Sequence, residues 1–415
     1  MDDAPADVRD AFDASLRAAL QESELATTGK TRTARQAIFD HWETFITGLG
    51  KEPSLSDVPP DLRICYLLVY GIRFRQRGRT GKPVKAGSVQ DALLAVGEGI
   101  SHLGEPDPRK QIPGAKQLHP LLASYLAALR NQDEPASRAY PVNVTILRAV
   151  VRRFSNALLR HDSKQAAANR HTMHLIIVAF YWLMRVAEYT APDDGMETRS
   201  QAFRMRDIEF DIDGRLYPAT TAPLHDANIA KIASATLTFT DQKNAVRGEQ
   251  ISHRSSSDPV LCPCKALARL VVHQRRHGAA ATTPICVYFD HADRPHNVKP
   301  AYITQALRAA AADLAGDTGI NPDLVSARSL RPGGATALLC AKVDPTTIQL
   351  VGRWRSDAML RYLRVGATVH TSNLAQQMLD KGAFTFPTGA YRADNDLLYP
   401  LETHDECQQL LRAEA

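Results

Sequence analysis

The stretch from Ser326 to Tyr362 gathers an arginine, a glycine pair, a tryptophan and a tyrosine: Arg331, Gly333 and Gly334, Trp354 and Tyr362. A guanidinium grips phosphate through its planar fork of N–H donors. A tyrosine phenol can act as a covalent nucleophile. An indole N–H donates one hydrogen bond, and its ring gives packing surface. Together these suit attack on a phosphodiester. The same residues would also fit a helical hairpin with a surface arginine and core aromatics. The glycines after Arg331 let the backbone approach something bulky, either another helix or a phosphate.

A second charged pair closes the apolar run Leu175 to Met184: Arg185 and, three positions on, Glu188. Positions i and i+3 share a helix face, so Glu188 could orient Arg185. Burying an arginine without a partner is costly, which makes a charged pair at this place unusual. It could equally be a structural salt bridge at a helix end. A third group is Arg73, Arg75, Arg77, Arg79, Lys82 and Lys85, six cations in thirteen residues with no acid among them. Such a stretch neutralises phosphates, which gives affinity without sequence reading. Its alternative is a solvated loop between helices.

The elements that must hold these residues follow from periodicity and caps. Ala335 to Cys340 suits a buried helix. Asp344-Pro345 starts another, with Asp as N-cap and Pro at the first helical position. Its inner face is Ile348, Leu350 and Val351, Gly352 ends it, and a further short helix carries Tyr362. Earlier, Ile38, Trp42, Phe45 and Ile46 recur at helical spacing. Pro59-Pro60 opens a helix with Leu62, Cys65, Tyr66, Val69 and Ile72 inward; Ser88 caps the next; His119-Pro120 begins one more, ending near Arg130. Residues 31–135 therefore read as an all-helical unit. The polar stretch Asn131 to Pro141 reads as a linker, and Asn143 caps a helix with Ile146, Leu147, Val150, Val151 and Phe154. From Met205 the period changes to two. Asp207–Asp211, Ala235–Thr240 and Gly248–His253 alternate as strands, with Leu237 and Phe239 on one face. The fold class expected is mainly α with a small antiparallel sheet (α+β).

The stretch Ser326–Tyr362 resembles the C-terminal signature of tyrosine recombinases, the phage-integrase family. That signature is His-x-x-Arg, then His or Trp, then the nucleophilic Tyr. Arg331 supplies the arginine, Trp354 lies 23 residues on (354 − 331), and Tyr362 follows after 8 more (362 − 354). The wording G-R-W-R-S-D-A-M-L-R-Y-L is similar to recombinases of eukaryotic mobile elements of the DIRS and Crypton types. Leu183 to Glu188 resembles the family's first catalytic box. The resemblance spans about 140–375, and the N-terminal unit matches only in pattern.

That likeness implies roles. Arg185 and Arg331 would clamp the scissile phosphate, and Glu188 would support Arg185. Tyr362 would attack phosphorus and hold a 3′-phosphotyrosyl link. The family carries a catalytic lysine on a β-hairpin. Lys243 is the match, with Lys231 and Arg247 as rivals, and it would protonate the departing 5′ oxygen. Trp354 would donate its N–H to the phosphate or buttress Tyr362. The reaction implied needs no metal or other cofactor. The partners implied are double-stranded DNA, clamped from the opposite side by the helical unit and its basic stretch, and further copies of the chain in a homotetramer. The units expected are a flexible 1–30, a DNA-clamping 31–135, a catalytic 136–385 and a tail 386–415. One departure stands out: where the family has its histidine, this chain has Arg328. Arginine stays protonated and cannot act as a base, though it can bind phosphate. Two other functions share these features: a non-catalytic DNA-binding protein derived from a recombinase, and a type IB topoisomerase that relaxes DNA.

At 415 residues there is room for two domains and a tail. A net charge of +5 permits a polyanionic partner without requiring one. The six cysteines are scattered and form no disulfide framework, which suits a reducing compartment. Cys262-Pro-Cys264 with His273 and His277 is a poor match to structural zinc spacing; Pro263 better marks a helix start. His171 and His174 share a helix face, a pattern more common in packing or at a surface than in a ligand set. The acidic start M-D-D-A-P-A-D lacks an apolar core, so no signal peptide is expected. Leu175–Met184 is too short to span a bilayer. The expected location is intracellular, and nuclear if the host is a eukaryote.

Overall fold

The computed structural model describes residues 29–110, 117–134, 139–158, 164–192, 201–240, 247–318 and 320–355, with Ser15 and Leu360 as isolated positions. Tyr362, Lys243 and the expected tail therefore lie outside the described residues, as does nearly all of the expected flexible start.

Four helices come first: α1 (Gly29–Thr47), α2 (Pro60–Arg77), α3 (Ala86–His102) and α4 (Pro120–Gln132). Their buried apolar side chains form one cluster running from Phe39 to Leu129. Trp42 and Tyr70 sit at its centre with rings edge to face at 5.3 Å, a geometry that suits the opposed charge of ring face and ring edge. The Trp42 indole donates to Pro53 O at 2.9 Å, so its burial leaves no orphan donor.

The face of α2 differs from the expectation. Ile64, Leu67, Tyr70 and Phe74 point inward, while Leu62, Val69 and Ile72 are exposed, as is Cys65. This helix is apolar on both sides, and the larger aromatic side took the core. Lys85, not Ser88, precedes the first turn of α3. His119 does cap α4, its ring accepting from Leu121 N.

The second cluster runs from Val142 to Leu330. It is built on α5 (Val144–Leu158), α6 (Lys164–Tyr181) and the one-turn α7 (Val186–Tyr189). Asn143 caps α5 as its sequence indicates, accepting Ile146 N at 2.9 Å. Then come strands β1 (Ile208–Ile212) and β2 (Arg215–Pro218), helix α8 (Asp226–Ala230), and strands β3 (Ile232–Phe239) and β4 (Glu249–Arg254). The sheet order is β2-β1-β3-β4, antiparallel throughout. Ile232, Ala235, Leu237 and Phe239 turn inward from β3, the alternation its sequence carries. The β1–β2 hairpin closes on Asp213-Gly214, both at positive φ.

Helix α9 (Pro263–Arg276) starts on Pro263 and packs on α6. A two-stranded ribbon, β5 (Val287–Phe289) and β6 (Pro295–Asn297), leads to α10 (Pro300–Ala312) and the short α11 (Ala315–Thr318). The chain closes with α12 (Leu330–Cys340) and α13 (Pro345–Gly352). The architecture is mainly α with a small antiparallel sheet, as the patterning indicates. No helix among the described residues is long and apolar enough to cross a membrane.

Candidate active site

Helix α6 ends at Tyr181, and the chain turns sharply through Leu183 at φ +47°. Arg185 is then not the end of the buried helix, as its sequence suggests, but the N-cap of α7. The pair with Glu188 is nonetheless made. Arg185 Nη1 donates to Glu188 Oε1 at 2.8 Å, and Arg185 N donates to Oε2 at 2.8 Å. Glu188 is buried, with 2% of its side chain exposed, whereas 24% of the Arg185 side chain is exposed. A single carboxylate thus fixes both the backbone and the guanidinium of Arg185.

Glu188 has a second partner that its neighbours in sequence do not reveal. Arg353 Nη2 donates to Glu188 Oε2 at 2.6 Å, and the Arg353 side chain is fully buried. Arg353 Nη1 also donates to Trp182 O at 3.1 Å, and its guanidinium lies 3.5 Å over the Phe239 ring. Burial pulls the Arg353 pKa down, and Glu188 opposes the shift. Arg353 closes α13 from the left-handed region, at φ +58°. The sequence points to Gly352 as the end of this helix. Gly352 is indeed its last residue, with Arg353 as the cap that follows, and an added methyl on Gly352 would collide with the Trp354 ring. Asp344 caps α13 as indicated, with Ile348 buried, but Leu350 is exposed rather than inward.

Arg331 sits in the first turn of α12 and is buried. Its Nη1 donates to Leu183 O at 2.9 Å, and its Nη2 donates to Gly352 O. The Trp354 ring lies against the guanidinium face at 4.3 Å, a cation–π contact strengthened by burial. Trp354 packs with Leu183, Ala335, Leu339 and Ile348 in a small cluster of its own. The indole ring thus packs over the Arg331 guanidinium within this cluster.

These bonds lace two remote segments together. Tyr189 Oη donates to Ala327 O at 2.9 Å, across 138 positions, and Arg331 reaches Leu183 across 148. Residues 182–189 and 327–331 thus pack together, most of them buried. Arg331 thereby grips the backbone at Leu183, two residues before Arg185. Arg328 stands on the 3-10 turn just before α12 and is exposed. Gly333 and Gly334 serve packing: a methyl on either would strike the backbone oxygen of Val142 or Phe180. The close approach they allow is to other protein segments.

Lys243 lies outside the described residues, but the strand ends flanking it do not. Phe239, which ends β3, meets Arg353, and Glu249, which opens β4, binds Arg355 Nη2 at 2.6 Å. Both roots of the β3–β4 connection therefore touch the Arg353–Arg355 segment. Lys231 is at the other end of β3, about 26 Å away at roughly 3.3 Å per residue, and pairs with Asp213. Arg247 is exposed beside the start of β4.

The basic stretch is not one surface. Arg73 and Arg77 lie exposed on α2, Arg73 over the Phe45 ring at 5.2 Å. Arg79, Lys82 and Lys85 are exposed in the turn that follows. Arg75 instead is a brace: it binds Asp133 at 2.5 Å and Val84 O at 2.5 Å, while Asp133 also accepts Ala86 N. It ties α2 to the start of α3 and the end of α4. Among the described residues no group of His, Cys, Asp or Glu is arranged to hold a metal ion. The Cys264 thiol donates to His253 O at 3.2 Å.

No family model and no curated protein matches the sequence. Solved structures do. The Tn1549 transposon integrase in complex with circular intermediate DNA is similar at 9% identity, over 88% of this chain and 98% of that one, with a TM-score of 0.45. A variant of the same integrase with transposon right end DNA is similar at 9% identity, over 89% and 99%, with a TM-score of 0.47. The XerA recombinase is similar at 12% identity, over 88% and 96%, with a TM-score of 0.32.

Proposed function

We propose that this chain is a site-specific DNA recombinase of the tyrosine type, cleaving and rejoining double-stranded DNA through a 3′-phosphotyrosyl link. The observation that supports it most is the lacing of the 182–189 turn to residues 327–331, in which Arg331 donates to Leu183 O, two positions before Arg185. Tyr362 attacks the scissile phosphorus, forming the O–P bond as the bond to the 5′ oxygen breaks. Lys243 gives that oxygen its proton. Arg185 and Arg331 offset the charge that builds on the non-bridging oxygens. Rejoining reverses these steps with another strand's 5′ hydroxyl, so the bond energy is kept and no nucleotide triphosphate is spent.

Glu188 and Arg353 are positioning residues in this scheme, and Trp354 holds Arg331. Arg328 takes a phosphate contact and leaves proton transfer to other groups. The helices before residue 135 close on the far side of the duplex through Arg73, Arg77, Arg79, Lys82 and Lys85, and four copies act on two duplexes.

The test is a pool of nicked duplexes carrying randomised sequence, from which covalent protein–DNA adducts are recovered under denaturing conditions. The chain should trap an adduct, and Tyr362→Phe should abolish it. Arg331→Ala should lower its yield about 10²–10³-fold, as loss of a transition-state donor does. Arg328→His should raise cleavage. Duplex binding without any adduct from the pool would replace this reading with that of a DNA-binding protein lacking catalysis.

A further inference from the structure

A second cluster of cations lies away from the candidate active site. Helices α6 and α9 pack side by side, and at the N-terminal half of α6 they leave a cavity of about 330 Å³, with α8 at one end. Arg170 and His174 face it from α6, one turn apart, and Arg269, His273 and Arg276 face it from α9. Arg170 is eleven residues from the end of α6 (181 − 170), roughly 16 Å along the axis. The Arg185 turn lies beyond that end.

The three arginines are exposed at the rim. Among the described residues none of them forms an ion pair or a hydrogen bond, whereas Arg148, Arg153, Arg185 and Arg353 each bind a carboxylate. One carboxylate, Asp226, shares the lining with them. Deeper in, His174 is only 8% exposed, and its ring has no hydrogen-bond partner among the described residues. Its nitrogens are not among the buried polar atoms left without a partner, so they open to the cavity, where water or a ligand can meet them. The other two rings are already engaged: His171 Nε2 bonds Ile285 O at 2.7 Å, and His273 Nε2 accepts Phe289 N at 2.9 Å. That leaves too few ring nitrogens for a metal, and three guanidiniums would repel one.

The chemistry that fits is an anion with several oxygens. Guanidinium forks match phosphate geometry, and a neutral imidazole supplies one further N–H. Ile229 and Val272 give the cavity an apolar wall, and its volume is at the small end of ligand clefts, which run from about 300 Å³. We infer that this cavity binds a small phosphorylated molecule of nucleotide size, its phosphates held by Arg170, Arg269 and Arg276 and by His174 beneath them. The inference does not depend on the recombinase reading.

Titration calorimetry of the full chain with inorganic pyrophosphate, and separately with ATP, tests it. Both should give saturable heat. Arg269→Gln should weaken pyrophosphate about tenfold and the Arg269→Gln/Arg276→Gln pair about a hundredfold, since each charge-assisted contact carries about a tenfold change or more. Arg215→Gln, on the far strand β2, should change nothing. Pyrophosphate should also shield Arg269 and Arg276 of the unaltered chain from phenylglyoxal, a readout that needs no variant to fold. Saturable heat that persists with a saturating 20-base-pair duplex present assigns the site to a small molecule. Displacement by the duplex would assign these phosphate contacts to DNA and overturn the inference. Equal binding by the double variant, or equal labelling with and without pyrophosphate, would overturn it too.

Discussion

Replacing Glu188 by Gln keeps the shape of the side chain and removes its charge. The loss falls on Arg353, whose side chain has no exposure and whose partner is only 2% exposed. Removing one member of such a buried pair costs about 3–5 kcal/mol, because the other charge stays buried and uncompensated. Gln can still accept Arg185 N through its oxygen, and Trp182 O and the Phe239 ring still meet Arg353. The expected loss is therefore at the low end, about 3 kcal/mol, or a fall in Tm of about 6–12 °C for a body of this size. Trp182 and Trp354 both belong to this part of the chain, and Trp42 belongs to the N-terminal cluster. Tryptophan emission during urea unfolding in a Trp42→Phe background thus reports on the right region. Adding Arg353→Met to Glu188→Gln should restore about 2 kcal/mol, since a charge with no partner is then gone. A loss below about 1 kcal/mol for Glu188→Gln, or additive losses in the double variant, would refute the claim that one buried carboxylate carries both arginines.

Three further outcomes follow from the same geometry. Neutralising Arg73, Arg77, Arg79 or Lys82 should each lower the salt slope of duplex binding by about 0.9; Arg75→Ala should leave the slope alone and cost stability, because Arg75 braces Asp133. Gly333→Ala should destabilise the chain by about 1–3 kcal/mol in thermal melts, as overpacking does, because its methyl would meet the backbone oxygen of Val142. Stability should also fall with acid. Burial holds His171 and His174 down at about 3, below the 6.5 of an unfolded imidazole, so between those values the unfolded chain binds more protons. Their contribution is complete above about pH 6.5 and is lost on acidification, by about 2 kcal/mol per ring at pH 5. Urea midpoints from pH 7.5 to 5 should show it, and His174→Gln should flatten the curve; an unchanged curve would count against burial as the cause.

Much of the scaffold was legible because its signals are local. Asn143, His119-Pro120, Pro263 and Asp344-Pro345 mark helix starts through caps and fixed φ, and each begins a helix. The inner face of α2 was not legible. Leu62, Val69 and Ile72 are as apolar as Ile64 and Leu67, so periodicity alone does not choose between the two sides, and packing with Trp42 did. Strand β2 is not legible even though Asp213-Gly214 is a hairpin signal; four residues with one exposed leucine carry too little alternation. In the site, Arg185, Glu188, Arg331 and Trp354 could be picked out by type and spacing. Arg353 could not, because its partner is 165 positions away. Arg75 looked like one cation among six because Asp133 is close only after α2 and α4 have packed.

The most direct measurement is to find which residue carries the nucleotide when a covalent adduct is trapped on a nicked duplex. Nuclease digestion followed by mass spectrometry of the tryptic peptides would place the added mass. The account predicts a single modified tyrosine among the twelve in the chain, at Tyr362, with yield falling in Arg331→Ala and Arg185→Ala alike. A nucleotide on any other residue, or an adduct that survives Tyr362→Phe, would contradict it.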